Sequence, residues 1–127
     1  EKPTRHGTIF WIERLDGSVL VRRRPEKGLL GGMMEFPSTV WREGARDSDV
    51  SALFHHAPVT AMEWYPVAGI VRHVFTHFRL ELKVLKGHVA QNTDAPTDTR
   101  WSTIDGLADL ALPTVMKKVA EKAIGGE

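Results

Sequence analysis

Two β-branched and aromatic runs on either side of an Asp-Gly pair constrain this chain most. Thr8-Ile9-Phe10-Trp11-Ile12-Glu13 and Ser18-Val19-Leu20-Val21-Arg22-Arg23-Arg24 flank Asp16-Gly17. A dipeptide that tolerates positive φ between two such runs predicts an antiparallel hairpin closed by a two-residue turn. Pro25 has no N–H to give a ladder and stops the second strand.

The rest of the chain reads as further short strands and two helices. Residues 26–32 are glycine-rich and loop-like, and a short strand follows at 33–36. Residues 47–56 fit a helix capped by Asp47 or Ser48, with Val50, Leu53 and Phe54 inward and Pro58 ending it. Two strands are expected at about 67–74 and 78–85, with Thr76-His77 at their junction. Residues 91–100 form a polar loop containing Pro96, and Arg100-Trp101-Ser102 a last strand. Ile104 to Leu110 supplies a helical turn or two.

Pro113 suits the first position of a final helix. Val115, Met116, Val119, Ala120 and Ala123 share one face of it, with Lys117, Lys118, Glu121 and Lys122 outward and Gly125-Gly126 at its end. The sum is an α+β chain, a mixed sheet flanked by helices.

A chain of 127 residues is one domain's worth. We expect residues 1–7 to be the end of a linker and 8–127 a single domain. The first residues, Glu1-Lys2-Pro3, lack an initiator Met and suit a piece of a larger protein. No apolar run approaches the roughly 20 residues of a bilayer span, so no membrane partner is expected. With no cysteine, disulfides, thiolate zinc sites and iron–sulfur ligation within these residues are excluded, and a reducing compartment such as the cytoplasm fits. The formal net charge is only +1. Strong non-specific DNA binding asks for a far more basic surface, so any contact with DNA belongs to a larger clamp.

Two segments carry a resemblance. Gly28-Leu29-Leu30-Gly31-Gly32-Met33-Met34-Glu35-Phe36-Pro37 looks like the strand and turn that lead into a Nudix-type fold. Arg72-His73-Val74-Phe75-Thr76-His77-Phe78 sets an aromatic, a hydroxyl and imidazoles where one apolar run gives way to the next. With the first hairpin and the Leu112-Pro113 start of a basic last helix, their order resembles the C-terminal, Nudix-like domain of A/G-specific adenine DNA glycosylases, the MutY family.

That resemblance implies a role and a division of labour. The family's domain carries a Phe-Ser-His loop that reaches the guanine side of a mispair. Phe75-Thr76-His77 matches it with Thr in place of Ser. The implied partners are double-stranded DNA with an adenine:8-oxoguanine mispair and the protein's own N-terminal catalytic domain, in a bacterial cytoplasm. The family keeps its adenine pocket, catalytic carboxylates and a 4Fe–4S cluster in that N-terminal domain, so no cofactor and no catalysis are expected of this chain alone.

The chemistry of the loop is coherent with that role. Guanine presents N7 and O6 as acceptors in the major groove, whereas 8-oxoguanine carries a hydrogen on N7 and a carbonyl at C8. A threonine hydroxyl both donates and accepts, so Thr76 can meet either edge, for a discrimination of about 1–3 kcal/mol. Phe75 is either a wedge against a base step or a core residue of its strand. His77 and His73 are candidate donors to phosphate. An imidazole contact of that kind strengthens as pH falls through about 6.5.

Other residues read more blandly. His55-His56 are surface histidines, because neighbouring side chains diverge on a helix. Arg22-Arg23-Arg24 is a solvated strand face, and the lysines of the last helix its ordinary exterior. The four tryptophans belong to core or rim. Active Nudix hydrolases bind divalent metal through clustered glutamates on a helix. Aligning on Phe36-Pro37 puts Ala45, Leu53-Phe54 and Ala57-Pro58 at positions of that motif, and none offers the oxygen ligands a hard cation needs. A second register, through Gly28, Met34, Arg42-Glu43 and Arg46-Asp47, loses two of its four carboxylates and replaces a third Glu with Asp. A Nudix hydrolase of a nucleoside diphosphate derivative and a non-catalytic nucleotide- or protein-binding domain remain the rival readings.

Overall fold

A ten-residue parallel ladder forms the spine of the molecule. The computed structural model describes residues 1–44, 57–61 and 63–125. Strand β1 (Thr4–Glu13) pairs with β7 (Arg79–His88) in continuous register, Thr4 opposite Arg79 and Glu13 opposite His88. On one side of β1 lie β2 (Val19–Arg23) and β3 (Met34–Glu35), both antiparallel, and β8 (Thr99–Ser102) also pairs with β2. Beyond β7, β5 (Glu63–Pro66) and β6 (Val71–Val74) pair antiparallel with its two halves. The short β4 (Arg42–Glu43) pairs with the start of β1. A 3-10 turn (Asp105–Asp109) and helix α1 (Thr114–Gly125) complete the described elements. The sheet is therefore mixed, as expected.

Alternation along β1 divides the core between the two faces of the sheet. Ile9 and Trp11 join Val21, Leu80, Leu82 and Val84 beneath α1. Phe10 and Ile12 join Leu20 and Leu85 on the opposite face, where Trp64 and Trp101 close over them. Helix α1 buries Val115, Met116, Val119, Ala120 and Ala123, the stripe its period predicts. Pro113 stands one residue earlier than expected, just outside the helix, where its carbonyl accepts from the N–H of Met116 at 2.9 Å and of Lys117 at 3.0 Å.

Several expectations need correction. Residues 4–7 are not linker but the first part of β1, and Pro3 accepts a bond from the Arg79 N–H at 2.8 Å. Gly7 looks like punctuation in the sequence, but its missing side chain makes room for Trp41, whose indole ring would collide with a Cβ there. The first hairpin turn is longer than two residues. Arg14 N–H bonds to the Ser18 carbonyl and Gly17 N–H to the Arg14 carbonyl, both at 2.9 Å, with Gly17 at φ +86°. Three residues thus close the turn, and only the last needs the left-handed region. The span 61–85 holds three strands instead of two.

The second register of the metal motif also fails locally, since Arg42-Glu43 lies in a strand and not on a helix. The expected helix at 47–56, with His55-His56, and the motif positions Ala45, Leu53 and Phe54 lie outside the described residues. Ala57 packs on the second core face.

The arginine run is not simply a solvated face. Glu35 is 2% exposed. Its two carboxylate oxygens accept from Arg22 Nε at 2.8 Å and Arg24 Nη1 at 2.7 Å. Arg22 near the end of β2 and Arg24 just beyond it thus reach one partner, while Arg23 bonds to the Gly32 carbonyl. Arg24 also lies over the Trp41 ring, 4.8 Å from its centroid. A buried carboxylate shared by two guanidiniums is stable only with both bonds in place. Replacing Glu35 with Ala should lower the unfolding free energy by about 2–3 kcal/mol, with the guanidiniums losing their acceptor. Urea denaturation reads this directly, and an unchanged midpoint would mean that the pair contributes nothing.

Candidate functional site

The loop singled out in the sequence is the tip of the β6–β7 hairpin. Phe75 N–H donates to the Phe78 carbonyl at 2.8 Å and closes a turn whose two central residues are Thr76 and His77. Both are exposed. The sequence favours this local shape because the apolar alternation of β6 and β7 breaks at those two residues and resumes at Phe78, which is 5% exposed. A hydroxyl and an imidazole are left facing solvent at the tip of the β6–β7 hairpin.

The rings beside them hold the tip in place. Phe75 is half-buried and packs on the main core. It stacks on Phe78, with centroids 4.7 Å apart and planes at 27°, and receives the edge of His73 at 4.8 Å. Offset and edge-to-face contacts of this kind each contribute about 0.5–1.5 kcal/mol beyond burial. Of the two readings open to Phe75, this packing is that of a core anchor. The ring does not stand free ahead of the tip.

Residues outside the loop complete the brace. The Arg5 guanidinium lies over the Phe78 ring, 4.0 Å from its centroid. Lys2 Nζ donates to the Phe75 carbonyl at 3.1 Å, and Arg79 Nη1 to the Lys2 carbonyl at 3.2 Å. From α1, Lys118 Nζ donates to the Arg72 carbonyl at 3.0 Å and sits 3.0 Å from His73 Nδ1. An ammonium has no lone pair, so this contact requires His73 Nδ1 to be the acceptor. Sequence reasoning missed Lys2 and Arg5 by assigning them to a linker, and Lys118 by assigning it to a plain helix exterior.

His73 and Thr76 thus differ in character. Partial burial, and then the neighbouring Lys118 ammonium, hold the His73 imidazole below its ordinary pKa of 6.5. Its charged form therefore appears at lower pH than the sequence alone suggests, and any His73 contact to phosphate is neutral in character near pH 7. Phe75, Thr76, His77 and His73 all lie at the hairpin's end. Only Thr76 and His77 are free to meet a large ligand without rearrangement. Among the described residues no group of three or more His, Asp or Glu is placed to hold a metal ion.

The sequence and the fold have counterparts among known proteins. Adenine DNA glycosylase of Mus musculus is 33% identical over 108 residues, which cover 80% of this chain and 21% of that protein. The chain thus spans about a fifth of that relative's length. The C-terminal domain of mouse MUTYH, solved in complex with human PCNA, superposes with a TM-score of 0.78 at 28% identity, covering 95% of this chain and 88% of that one. The MutT protein of Methanosarcina mazei Go1 superposes with a TM-score of 0.74 at 17% identity, over 98% of this chain and 95% of its own, and shares the fold. Residues 8–122 match the NUDIX domain family, and the chain belongs to it.

Proposed function

We propose that this domain reads 8-oxoguanine opposite adenine, as the lesion-recognition part of a longer adenine DNA glycosylase. The observation that carries the proposal is the exposed Thr76-His77 pair at the end of a braced hairpin, in a chain whose relatives include such glycosylases. The Thr76 hydroxyl accepts from N7–H of the oxidised base or donates to its O8, and His77 offers a ring N–H beside it. Phe75 holds the backbone from which Thr76 projects. His73 supports Phe75 from beneath.

Hydrolysis of the adenine N-glycosidic bond then belongs to another part of the longer protein, where the target base leaves the stack. With no cysteine, this chain ligates none of a 4Fe–4S cluster. A cytoplasmic location goes with this reading.

Holding and reading are separable by mutation. In the full-length enzyme, Thr76→Ala should reduce the preference for 8-oxoguanine over guanine by about 1 kcal/mol, near fivefold, at the low end for a specific base contact. The side chain is exposed, so stability should stay within about 0.5 kcal/mol. Equal preference in variant and parent would refute the assignment. Phe75→Ala should instead cost about 2 kcal/mol of stability, less than a fully buried phenylalanine. An unchanged thermal midpoint would show that the ring does not anchor the tip.

The depressed pKa of His73 gives a third test. The unfolded chain binds a proton at His73 at higher pH than the folded one, so stability rises with pH in this window. It should be fully present above about pH 6.5 and fall as pH drops below that toward the folded pKa. The His73→Gln profile should lack this component, so that subtracting it from the parent's isolates the component, and superimposable profiles would contradict it.

A further inference from the structure

We infer that Lys2 is a positioning residue for the tip, acting through the peptide plane that leads into Thr76. This rests on the reading of Thr76 as the group that meets 8-oxoguanine, and adds what sets its direction. Thr76 and His77 are exposed, so the residues that flank them decide where they point. On the near side that residue is Phe75. Its N–H is held by the Phe78 carbonyl at 2.8 Å, which fixes the peptide entering Phe75.

The peptide leaving Phe75 needs a hold of its own, because it turns about the ψ of Phe75. Lys2 supplies it, with Nζ donating to the Phe75 carbonyl at 3.1 Å in a partly buried setting. A peptide unit is planar. A bond at the Phe75 oxygen therefore also orients the N–H and Cα of Thr76. The donor is an ammonium, which makes the bond charge-assisted and stronger than a neutral one. Among the described residues no carboxylate pairs with Lys2 and competes for it.

Lys2 is itself held by the far side of the same hairpin. The Arg79 N–H donates to the Pro3 carbonyl at 2.8 Å, and Arg79 Nη1 to the Lys2 carbonyl at 3.2 Å. Three residues further on, Arg5 lies over the ring of Phe78, whose carbonyl holds Phe75. The segment before β1 and the hairpin from Phe75 to Arg79 thus form one hydrogen-bonded unit. A displacement of that segment displaces the tip.

An ammonium has three donors, so the experiment must separate positioning from a direct phosphate contact. It uses the full-length enzyme with Lys2→Met, which keeps the stem and removes the donor, and Lys2→Arg, which keeps a charged donor. In Lys2→Met, hydrogen exchange at residues 75–78 should quicken about tenfold, the scale of one bond to a charged group. Exchange along the β1–β7 ladder should not change. Preference for 8-oxoguanine over guanine should fall about threefold, as for residues coupled through a backbone shift. Lys2→Arg should restore both. Added to Thr76→Ala, Lys2→Met should cost no further preference, since the group it positions is gone.

Additive losses in the double variant would show a separate contact with the duplex and overturn the inference. So would a slope of log K against log salt that falls by about 0.9 in Lys2→Met, the value for one lost phosphate contact. Unchanged exchange at the tip overturns it as well, as does an intact preference in Lys2→Met where Thr76→Ala lowers it. If Thr76→Ala itself spares the preference, the lesion reading fails, while quickened exchange confined to the tip still establishes the hold of Lys2 on Phe75.

Discussion

The parallel pairing of β1 with β7 is the constraint from which the rest follows. Parallel neighbours cannot be joined by a tight turn and need a long crossover connection. Here the crossover carries β2 to β6, so the ladder fixes where every one of those strands lies. Its first rung sets Thr4 beside Arg79, which brings Lys2 and Arg5 to the back of a tip more than seventy positions later in the chain. Its last rungs seat Phe10, Ile12 and Leu85 in the second core face. The same interaction that closes the core also braces the loop.

That arrangement explains what was legible in the sequence. The helix stripe from Val115 to Ala123 shows because a helix repeats every few residues, and the repeat survives in one dimension. The first two strands show because β-branched runs flank a turn signal. The exposed Thr76-His77 pair shows because it breaks an apolar pattern that resumes at Phe78. Long-range partners leave no such trace. Thr4-Arg5-His6 carries no apolar alternation, since its side chains meet their partners through charge, Arg5 over the Phe78 ring and His6 at 3.6 Å from Glu81. Strand β4 is two exposed residues, and β5 runs from Glu63 to Pro66 with no alternation. Proline is tolerated there because, among the described residues, β5 pairs with β7 on one side and has no strand on the other.

Glu35 illustrates the same limit in the opposite direction. In the sequence it is one polar residue in a glycine-rich segment that looks like the approach to a metal-binding helix. In the molecule it is a buried carboxylate spent on two arginines. Those arginines are neighbours-but-one at the end of β2 and just past it, so the alternation that argues for a solvated face also aims two of them at one partner. The reading fails because nothing in a single sequence shows that the partner is buried.

In the proposed function, the tip separates two tasks that a single side chain performs poorly. Reading a base edge needs a group that projects into solvent and pairs only when the ligand arrives, so it contributes little to folding. Holding that group in place needs buried contacts, which a ligand then finds occupied. Phe75 takes the second task through its stack with Phe78 and its contact with His73, which leaves Thr76 free for the first. Preorganisation of this kind limits the ordering cost on binding. It also limits selectivity, since one hydroxyl that can donate or accept still finds a partner on unmodified guanine. In the proposed reading, a domain built this way tilts a choice made elsewhere in a longer protein.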